Sequence, residues 1–242
     1  VYHQAIAEKN AGHRALALKS FALATKLDPA DPMSRSNLAW LQLQHGEQEA
    51  ALENMHQAAI LESHRHAPVE EISQVPAHRI RHDAEQFRYI LKKGKLSQEA
   101  QSYADDIMAL EAAMGDSDAP VDLTQPSLNS IRTRWSELHH NPTCPVIEDG
   151  ALNPKQDWNQ IQNDYRNTKP EMVVVDDLLR PEALHALQEW CRTATIWKRS
   201  YDNGYVGAFM RSGLASALII QISEELRTSL SGIIQDYRLE QC

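Results

Sequence analysis

Histidines and carboxylates at helical spacing are the residues of this sequence that could do chemistry. His78 and His82 lie four residues apart and Asp83 comes next, so a helix would bring both imidazoles to one face, the spacing that zinc-binding helices use. The glutamate of the zinc-protease pattern is missing, because Arg79 follows His78. We therefore expect His78 and His82 to be an ordinary surface pair. Two other places to look for a metal are the pairs His64 with His66 and His139 with His140.

A pair of carboxylates, Asp176 and Asp177, follows the short β-branched run Met172–Val175. The two aspartates could be metal ligands, but a strand end that faces solvent accounts for them as well, and we expect the solvent-facing end. The sequence contains no glycine-rich phosphate loop and no cysteine next to a base. Its motifs therefore assign no catalytic, cofactor-binding or metal-binding residue to this chain.

The composition narrows the class of protein. The 242 residues have a formal net charge of −9, which argues against a nucleic-acid partner because such partners are bound by neutralising phosphates. No apolar run approaches the roughly 20 residues of a membrane span, and no signal peptide is evident, so we expect no membrane partner. Basic residues are frequent in one stretch, where we expect a solvated helix face: Arg79, Arg81, Arg88, Lys92, Lys93 and Lys95.

Cysteine usage indicates a reducing compartment. The three cysteines, Cys144, Cys191 and Cys242, are an odd number and have no CxxC spacing, so a disulfide framework is not expected. We therefore predict a cytoplasmic protein.

The elements that would position any site begin with an internal repeat. Within residues 1–63, residues that lie 34 positions apart are similar: small residues align with small residues, and large residues align with large ones. Alanines at such positions let two helices of a hairpin approach closely, and the glycine of each copy would lie at the turn. The matching pairs are Ala5 with Ala39, Gly12 with Gly46, Ala17 with Ala51, Leu18 with Leu52, Phe21 with Met55, Ala24 with Ala58, and Leu27 with Leu61.

These residues resemble the tetratricopeptide repeat, whose pattern of small residue, aromatic, small residue and closing proline reads here as Ala17, Phe21, Ala24 and Pro29. The second copy departs from the pattern because Ser63 stands where proline is expected. The family's leading tryptophan and tyrosine are also replaced, by Arg35 and Gln42 in the second copy.

The resemblance implies a protein or peptide partner on the concave surface of the repeats. Asn37 would lie on that surface, where the family often keeps an asparagine that holds the backbone of a bound peptide, and His3 takes the equivalent place in the first copy. A capping or solvated amide is the alternative for Asn37. For Trp40 we expect packing between helices.

The predicted fold class is mainly α: a superhelix of α-α hairpins followed by a partial α+β segment. Two irregular helices, Val69–Lys93 and Ser97–Met114, would extend the repeat domain to residues 1–114, as a third hairpin that caps the stack. Residues 115–170 would be a linker with short helices at Leu128–His139 and Trp158–Arg166, because the stretch from Gly115 to Pro126 is acidic and contains two prolines. If the alignment holds, Val1 lies inside a first helix, and we expect a longer array before it.

The predicted third domain, residues 171–242, begins with a buried strand at Met172–Val175. A helix follows, with Pro181 at its start, where a missing N–H is tolerated. Its buried stripe should contain Leu184, Leu187, Trp190 and Cys191. Next come two strands, Ile196–Tyr201 and Tyr205–Met210, joined by an Asn-Gly turn. A helix at Ser216–Ile234 should turn Glu224, Glu225 and Arg227 outward, and Tyr237–Cys242 reads as a last strand.

The run Val173–Trp197 and the run Tyr205–Arg227 together are similar to the lead-in of prolyl-hydroxylase-like Fe(II)/2-oxoglutarate dioxygenases, in particular to bacterial proteins that carry such a domain behind tetratricopeptide repeats. The shared motif is Leu179, Pro181 and Glu182 at the start of the helix. The resemblance implies a parent protein that hydroxylates something its repeats recruit. A non-enzymatic scaffold or assembly protein is the alternative.

This sequence departs from the dioxygenase family at the metal. The family's iron is held by a His-x-Asp/Glu pair and a distant histidine, and none of the 11 histidines here begins such a pair. We therefore expect Fe(II) and 2-oxoglutarate only if a further catalytic core follows Cys242. The chain alone should be inactive.

Overall fold

The computed structural model describes residues 1–64 and 72–234, and the fold of these residues is mainly helical. Contacts divide the chain into two compact units. The first contains Val1–Pro142 and Arg192–Ala215, and the second contains Thr143–Cys191 and the described residues from Ser216 onward. None of the helices in the described residues is both long enough and apolar enough to cross a membrane.

The first unit begins with four helices, each of which packs on the next one along the chain. They are α1 (Tyr2–Asn10), α2 (Arg14–Leu27), α3 (Pro32–Gln44) and α4 (Gln48–His64). Gly12 and Gly46 lie at the turns within the two hairpins with φ of 77° and 81°, a region that glycine adopts without steric cost. The spacing of 34 residues between them therefore corresponds to one structural unit.

The matching small residues are the ones that the two hairpins bury. Ala5, Ala17, Ala39 and Ala51 are all inaccessible to solvent. The large residues of the pattern are buried with them, because Phe21 is 0% exposed and its counterpart Met55 is 3% exposed. The prediction of two matching helical hairpins is confirmed at these positions. The last position of the repeat pattern is an exception, because Leu27 is 66% exposed.

The departure from the proline pattern has a visible consequence. In the first copy α2 ends at Leu27, two residues before Pro29. In the second copy Ser63 replaces the proline, and α4 continues to His64 with the Ser63 hydroxyl donating to the carbonyl of Ile60. A proline at position 63 would clash with the preceding turn and stop the helix.

The rest of the first unit is built on a third helical hairpin. It contains α5 (Ala77–Lys92) and α6 (Gln98–Met114), which confirm that two helices are present here. The start predicted for the first helix was wrong: residues 69–71 lie outside the described residues, and residues 72–76 are not helical and include a short strand. Two short strands, β1 (Gln74–Val75) and β2 (Val121–Asp122), pair antiparallel beside the hairpin. The buried core consists chiefly of Ile80, Phe87, Ile90, Tyr103, Ile107, Leu123 and Ile131.

Residues 115–142 belong to this unit, whereas the sequence indicated a linker there. Strand β2 pairs with β1, and Leu123 behind it is fully buried. The predicted helix at Leu128–His139 is shorter than expected: a 3₁₀ turn at Pro126–Leu128 leads into α7 (Asn129–Arg134), which packs on α6. Asp116, Asp118, Pro120 and Pro126 are exposed at the surface of this packed region, and Asp122 lies in β2.

The first unit also contains a hairpin from later in the chain. Strands β3 (Arg199–Ser200) and β4 (Val206–Gly207) pair antiparallel, and the turn between them includes Gly204 at φ 89°. The predicted strands were longer, but their pairing and turn are confirmed. Gln86 of α5 holds the chain segment that precedes this β-hairpin, because its side-chain amide donates to the Ala194 carbonyl at 2.9 Å.

The second unit contains α8 (Trp158–Asn167), α9 (Pro181–Thr193), α10 (Ala217–Ser229) and α11 (Ser231–Ile234). Pro181 begins α9 as predicted. The buried stripe of α9 was partly wrong, because Trp190 is buried but Leu184 is 44% exposed and Ala183 takes the inward position. The strand predicted at Tyr237–Cys242 lies outside the described residues.

The strand predicted at Met172–Val175 was wrong. Within the described residues this run has no strand partner, and Met172 and Val174 are 63% and 79% exposed. The only pairing nearby is an isolated bridge between Leu152 and Leu179. A β-branched run favours extended backbone, but a strand also needs a second strand to pair with.

Glu225 of α10 faces inward, although the sequence predicted it to face out. Its carboxylate accepts hydrogen bonds from the backbone N–H groups of Ala151 and Leu152, at 2.9 and 2.8 Å. Gln221, one turn earlier, both donates to and accepts from the backbone of Ile147. The two polar side chains therefore hold the loop at residues 147–152 against α10.

Candidate functional site

The two residues proposed for peptide binding lie on the first helices of consecutive hairpins. Asn37, on α3, is half-buried and uses both ends of its amide: Nδ2 donates to the Met33 carbonyl at 2.9 Å, and Oδ1 accepts from Lys9 Nζ at 2.8 Å. Lys9 belongs to α1, so this hydrogen bond joins the two helices across the surface. We call the surface around Lys9 and Asn37 the α1/α3 face.

His3 lies two turns before Lys9 on α1 and is exposed. Its imidazole meets the ring of Tyr2 edge-on, with centroids 5.6 Å apart. Tyr2 in turn packs edge-on against the buried Phe21 at 5.9 Å, so it is anchored to the core of the first hairpin. No contact between His3 and Asn37 is found in the described residues, and the structure therefore does not bring the two predicted residues together directly.

The α1/α3 face can offer hydrogen bonds of both kinds and one positive charge. An asparagine amide matches a peptide group, because it has one donor and one acceptor of the same type. Lys9 adds an exposed ammonium group, and its chain position gave no signal of a site. Sequence reasoning missed Lys9, although the fixed 34-residue repeat could have placed α1 beside α3.

The two histidines at i, i+4 spacing on α5 have different surroundings. His82 Nδ1 lies 3.0 Å from Asp83 Oδ1, so this ring is paired with the neighbouring carboxylate. The Nε2 atom of His78 is buried without a hydrogen-bond partner in the described part of the chain. His64 is exposed at the end of α4, whereas His66 lies outside the described residues.

A cluster of buried polar side chains lies in the first unit, at a place where the sequence indicated a solvated basic face. Arg79 is 1% exposed, and its Nε donates to Asp83 Oδ1 at 2.8 Å. Its Nη1 donates to the backbone carbonyl of Lys198 at 2.8 Å. For Arg79 the expectation of a solvated face was therefore wrong, and the i, i+4 spacing of Arg79 and Asp83 was the signal that could have revealed the pair.

Aromatic rings enclose this buried polar cluster. His139 stacks on Tyr103 with ring centroids 3.9 Å apart, and Arg79 lies over the Trp135 ring at 5.0 Å. Arg134 Nη2 lies 3.4 Å from His139 Nδ1, and Arg134 also pairs with Glu137. Apart from Arg134, Trp135 and Glu137, which are partly exposed, these side chains are shielded from water.

Burial and neighbouring charges shift the pKa values of the groups in the buried polar cluster. Burial lowers the pKa of His139 to about 3, so the ring is neutral near pH 7. Burial and the adjacent Arg79 cation together lower the pKa of Lys198 to about 7. Burial raises the pKa of Asp83, but the Arg79 cation and the hydrogen bond with His82 outweigh it and hold this pKa well below its usual value. Asp83 is therefore a carboxylate near neutral pH.

Hydrogen bonding within the buried polar cluster is incomplete. Four atoms have no hydrogen-bond partner among the described residues: Arg79 Nη2, Asp83 Oδ2, the Tyr103 hydroxyl and His139 Nε2. Each belongs to a side chain that is more than nine-tenths buried. We ascribe a structural role to the cluster, because its members hold α5, α6 and the backbone at Lys198 together.

Asp176 and Asp177 form a turn. Asp177 has φ 51°, and the two backbone carbonyls accept from the side-chain amide of Gln156, at 2.6 and 3.1 Å. Both aspartates are exposed. The expectation of a strand end with solvent-facing carboxylates holds for their exposure, but no strand precedes them.

The described residues do not fit an iron site. No group of three or more histidine, cysteine, aspartate or glutamate side chains is placed to hold a metal ion in residues 1–64 or 72–234. His185, which lies on α9 within the first of the two sequence runs similar to the dioxygenases, is exposed. No step of a dioxygenase reaction can therefore be assigned to these side chains.

Comparison with known proteins assigns no family to this sequence. The sequence matches no protein-family model, and neither the curated proteins nor the solved structures give a match. The functional argument therefore depends on the geometry of the chain itself.

Proposed function

We propose that residues 1–64 form a tetratricopeptide-type module that binds an extended peptide on the α1/α3 face. The observation that carries this proposal is the hydrogen bond between Lys9 and Asn37. It places a cation and a peptide-like amide side by side on exposed surface, at the junction of two hairpins that repeat with the same buried alanines.

A bound peptide would use groups that now satisfy each other. Lys9 is an exposed side chain on a flexible stem, so it can leave Asn37 at small cost and pair with a carboxylate of the ligand. Asn37 Oδ1 would then accept from a peptide N–H, while Nδ2 keeps its bond to Met33. The ligand expected from this chemistry is an extended peptide with an acidic group, and His3 would contact it farther along α1.

The test is a titration of the full chain with a library of fluorescein-labelled acidic hexapeptides, followed by variants against the tightest binder. Replacing Asn37 or Lys9 with alanine should weaken binding by about tenfold, which corresponds to roughly 1.4 kcal/mol. The matched control is Lys92→Ala, which removes an exposed lysine from the end of α5. Equal affinity for the Asn37→Ala and Lys92→Ala variants would remove Asn37 from the site.

The second part of the proposal concerns residues 171–234. The helices α9 and α10 follow the order of the two helices that the resemblance to the 2-oxoglutarate dioxygenases implies, which favours a role in a hydroxylase whose repeats recruit its substrate. The strand that the resemblance implies before the first helix is not formed by the described residues. The residues present do not fit Fe(II), so this segment is proposed as a lead-in without catalytic groups. A non-enzymatic scaffold explains the α1/α3 face equally well, and both forms of the proposal need the same peptide-binding surface.

A further inference from the structure

The outward side of α2 carries three exposed leucines in a line. Leu16, Leu23 and Leu27 are 53%, 48% and 66% exposed. They are seven and four residues apart, so at about 100° of rotation per residue they lie within an arc of roughly 40° on the helix. A single exposed leucine needs no explanation, but an apolar row along one helix marks an interaction surface. We call these three residues the α2 leucine row.

The packing of the repeats does not require this row. In the second hairpin the positions 34 residues later are Ala50, Gln57 and Leu61. Only the last is a large apolar residue, and it is half-buried. The two hairpins share their buried alanines, but the second hairpin has no corresponding row of three outward leucines. The α2 leucine row is therefore particular to α2.

The charged residues of α2 itself all have one sign. Helix α2 contains Arg14, Lys19 and Lys26 and no acidic residue, in a chain with 33 acidic and 24 basic residues. Lys19 and Lys26 are exposed, seven residues apart, on one edge of the row. On the other edge Ser20 is hydrogen-bonded to Glu8 of α1. The row therefore has a basic edge and an edge that adjoins a carboxylate.

We propose that the α2 leucine row docks an amphipathic helix of a partner protein, with an apolar stripe and acidic residues on the side that meets Lys19 and Lys26. From Leu16 to Leu27 the row rises about 16 Å, or three helical turns, which matches a partner helix laid along α2. An open depression at the start of α2 has Arg14, Leu16 and His45 in its lining and gives room for a bulky side chain of the partner. This surface is separate from the α1/α3 face.

A membrane surface is a different class of partner for an apolar row with lysines. Helices that lie on membranes carry a broad apolar face and basic residues across their polar face. The arc of the α2 leucine row is narrow, and its lysines lie on one edge only, with Glu8 beyond the other. These features favour a protein helix.

The test uses the full chain and two fluorescein-labelled helical peptides of about 14 residues, each with leucines at a and d positions of a heptad. One peptide has glutamates along the edge of the stripe, and the other has lysines at the same places. We expect the acidic peptide to bind at least tenfold more tightly than the basic one. Leu23→Glu should reduce its binding at least tenfold, whereas Met33→Glu, at a similarly exposed position on α3, should not.

A charge exchange makes the test specific. The double variant Lys19→Glu with Lys26→Glu should reverse the preference, so that the basic peptide binds more tightly. Because all substituted side chains are exposed, far-UV circular dichroism should show that the variants keep the wild-type helix content. Equal binding of both peptides, or binding that survives Leu23→Glu, would overturn the proposal. So would binding to phosphatidylcholine–phosphatidylserine vesicles in the absence of peptide binding.

Discussion

Replacing Asp83 with asparagine should destabilise the first unit more than any surface substitution of a charge. The change removes the negative partner of Arg79, whose side chain is 1% exposed and whose Nε lies 2.8 Å from Asp83 Oδ1. The guanidinium then remains buried without a counter-charge. Breaking a buried pair in this way costs about 3–5 kcal/mol, which for a chain of this size lowers the melting temperature by roughly 6–20 °C.

The measurement is urea-induced unfolding followed by far-UV circular dichroism, together with thermal unfolding. The matched control is Glu111→Gln, which removes the partner of Arg88. That pair joins α5 to α6 at 2.6 Å with side chains 49% and 25% exposed, so its loss should cost less than about 1 kcal/mol. A double variant, Arg79→Met with Asp83→Leu, should recover most of the stability because it removes both charges of the buried pair.

The reasoning would be refuted by an Asp83→Asn variant as stable as the Glu111→Gln control. That result would mean that the Arg79 guanidinium finds water or another acceptor when Asp83 is gone. The pH dependence gives a second check. Arg79 holds the pKa of Asp83 well below its unfolded value, so this contribution to stability is present above about pH 4. It should be lost only in strong acid, as the pH falls through the folded pKa.

Two further predictions concern a titrating group and a loop. Burial lowers the pKa of His139 from about 6.5 to about 3, so between these pH values the unfolded chain binds a proton that the folded chain does not. The free energy of unfolding should therefore fall as the pH drops from 6.5 towards 3. His139→Phe should reduce this dependence on pH, as measured by urea unfolding at a series of pH values. Glu225→Ala should expose the Ala151 and Leu152 amides to faster hydrogen exchange and cost roughly 2–4 kcal/mol, because it removes hydrogen bonds to a charged group. Glu224→Ala, which removes only a surface pair with Arg227, is the control for the loop, and an equal effect of both variants would contradict this role of Glu225.

The sequence predicted the repeat hairpins because their requirements are local. Ala17 and Ala51 must be small where two helices cross, and Gly12 and Gly46 must adopt positive φ at a tight turn. These demands recur in each copy, so the spacing of 34 residues reveals them. The interpretation of that spacing as a tetratricopeptide repeat stays a prediction.

The errors lie where a residue's environment comes from distant parts of the chain. Glu225 was placed outward by its helical position, yet it faces two backbone amides that are more than 70 residues away. Met172–Val175 had the composition of a strand, but no strand within the described residues pairs with it. Arg79 had the composition of a surface cation, and its burial follows from the Lys198 carbonyl, which lies 119 residues later.

The candidate site was predicted in part for the same reason. The position of Asn37 follows from the repeat alone, whereas its bond with Lys9 depends on which side chain of α1 lies opposite Asn37, and the sequence pattern did not specify that side chain. His3 has the repeat position but no contact with Asn37.

The most direct measurement of the central proposal is a two-dimensional ¹H–¹⁵N spectrum of the labelled chain during titration with the tightest acidic hexapeptide. The account predicts that the largest shifts fall on α1 and α3, with the side-chain amide of Asn37 among them and with little change in the second unit. Shifts confined to α2 or to residues 143–191, with the Asn37 amide unmoved, would contradict it.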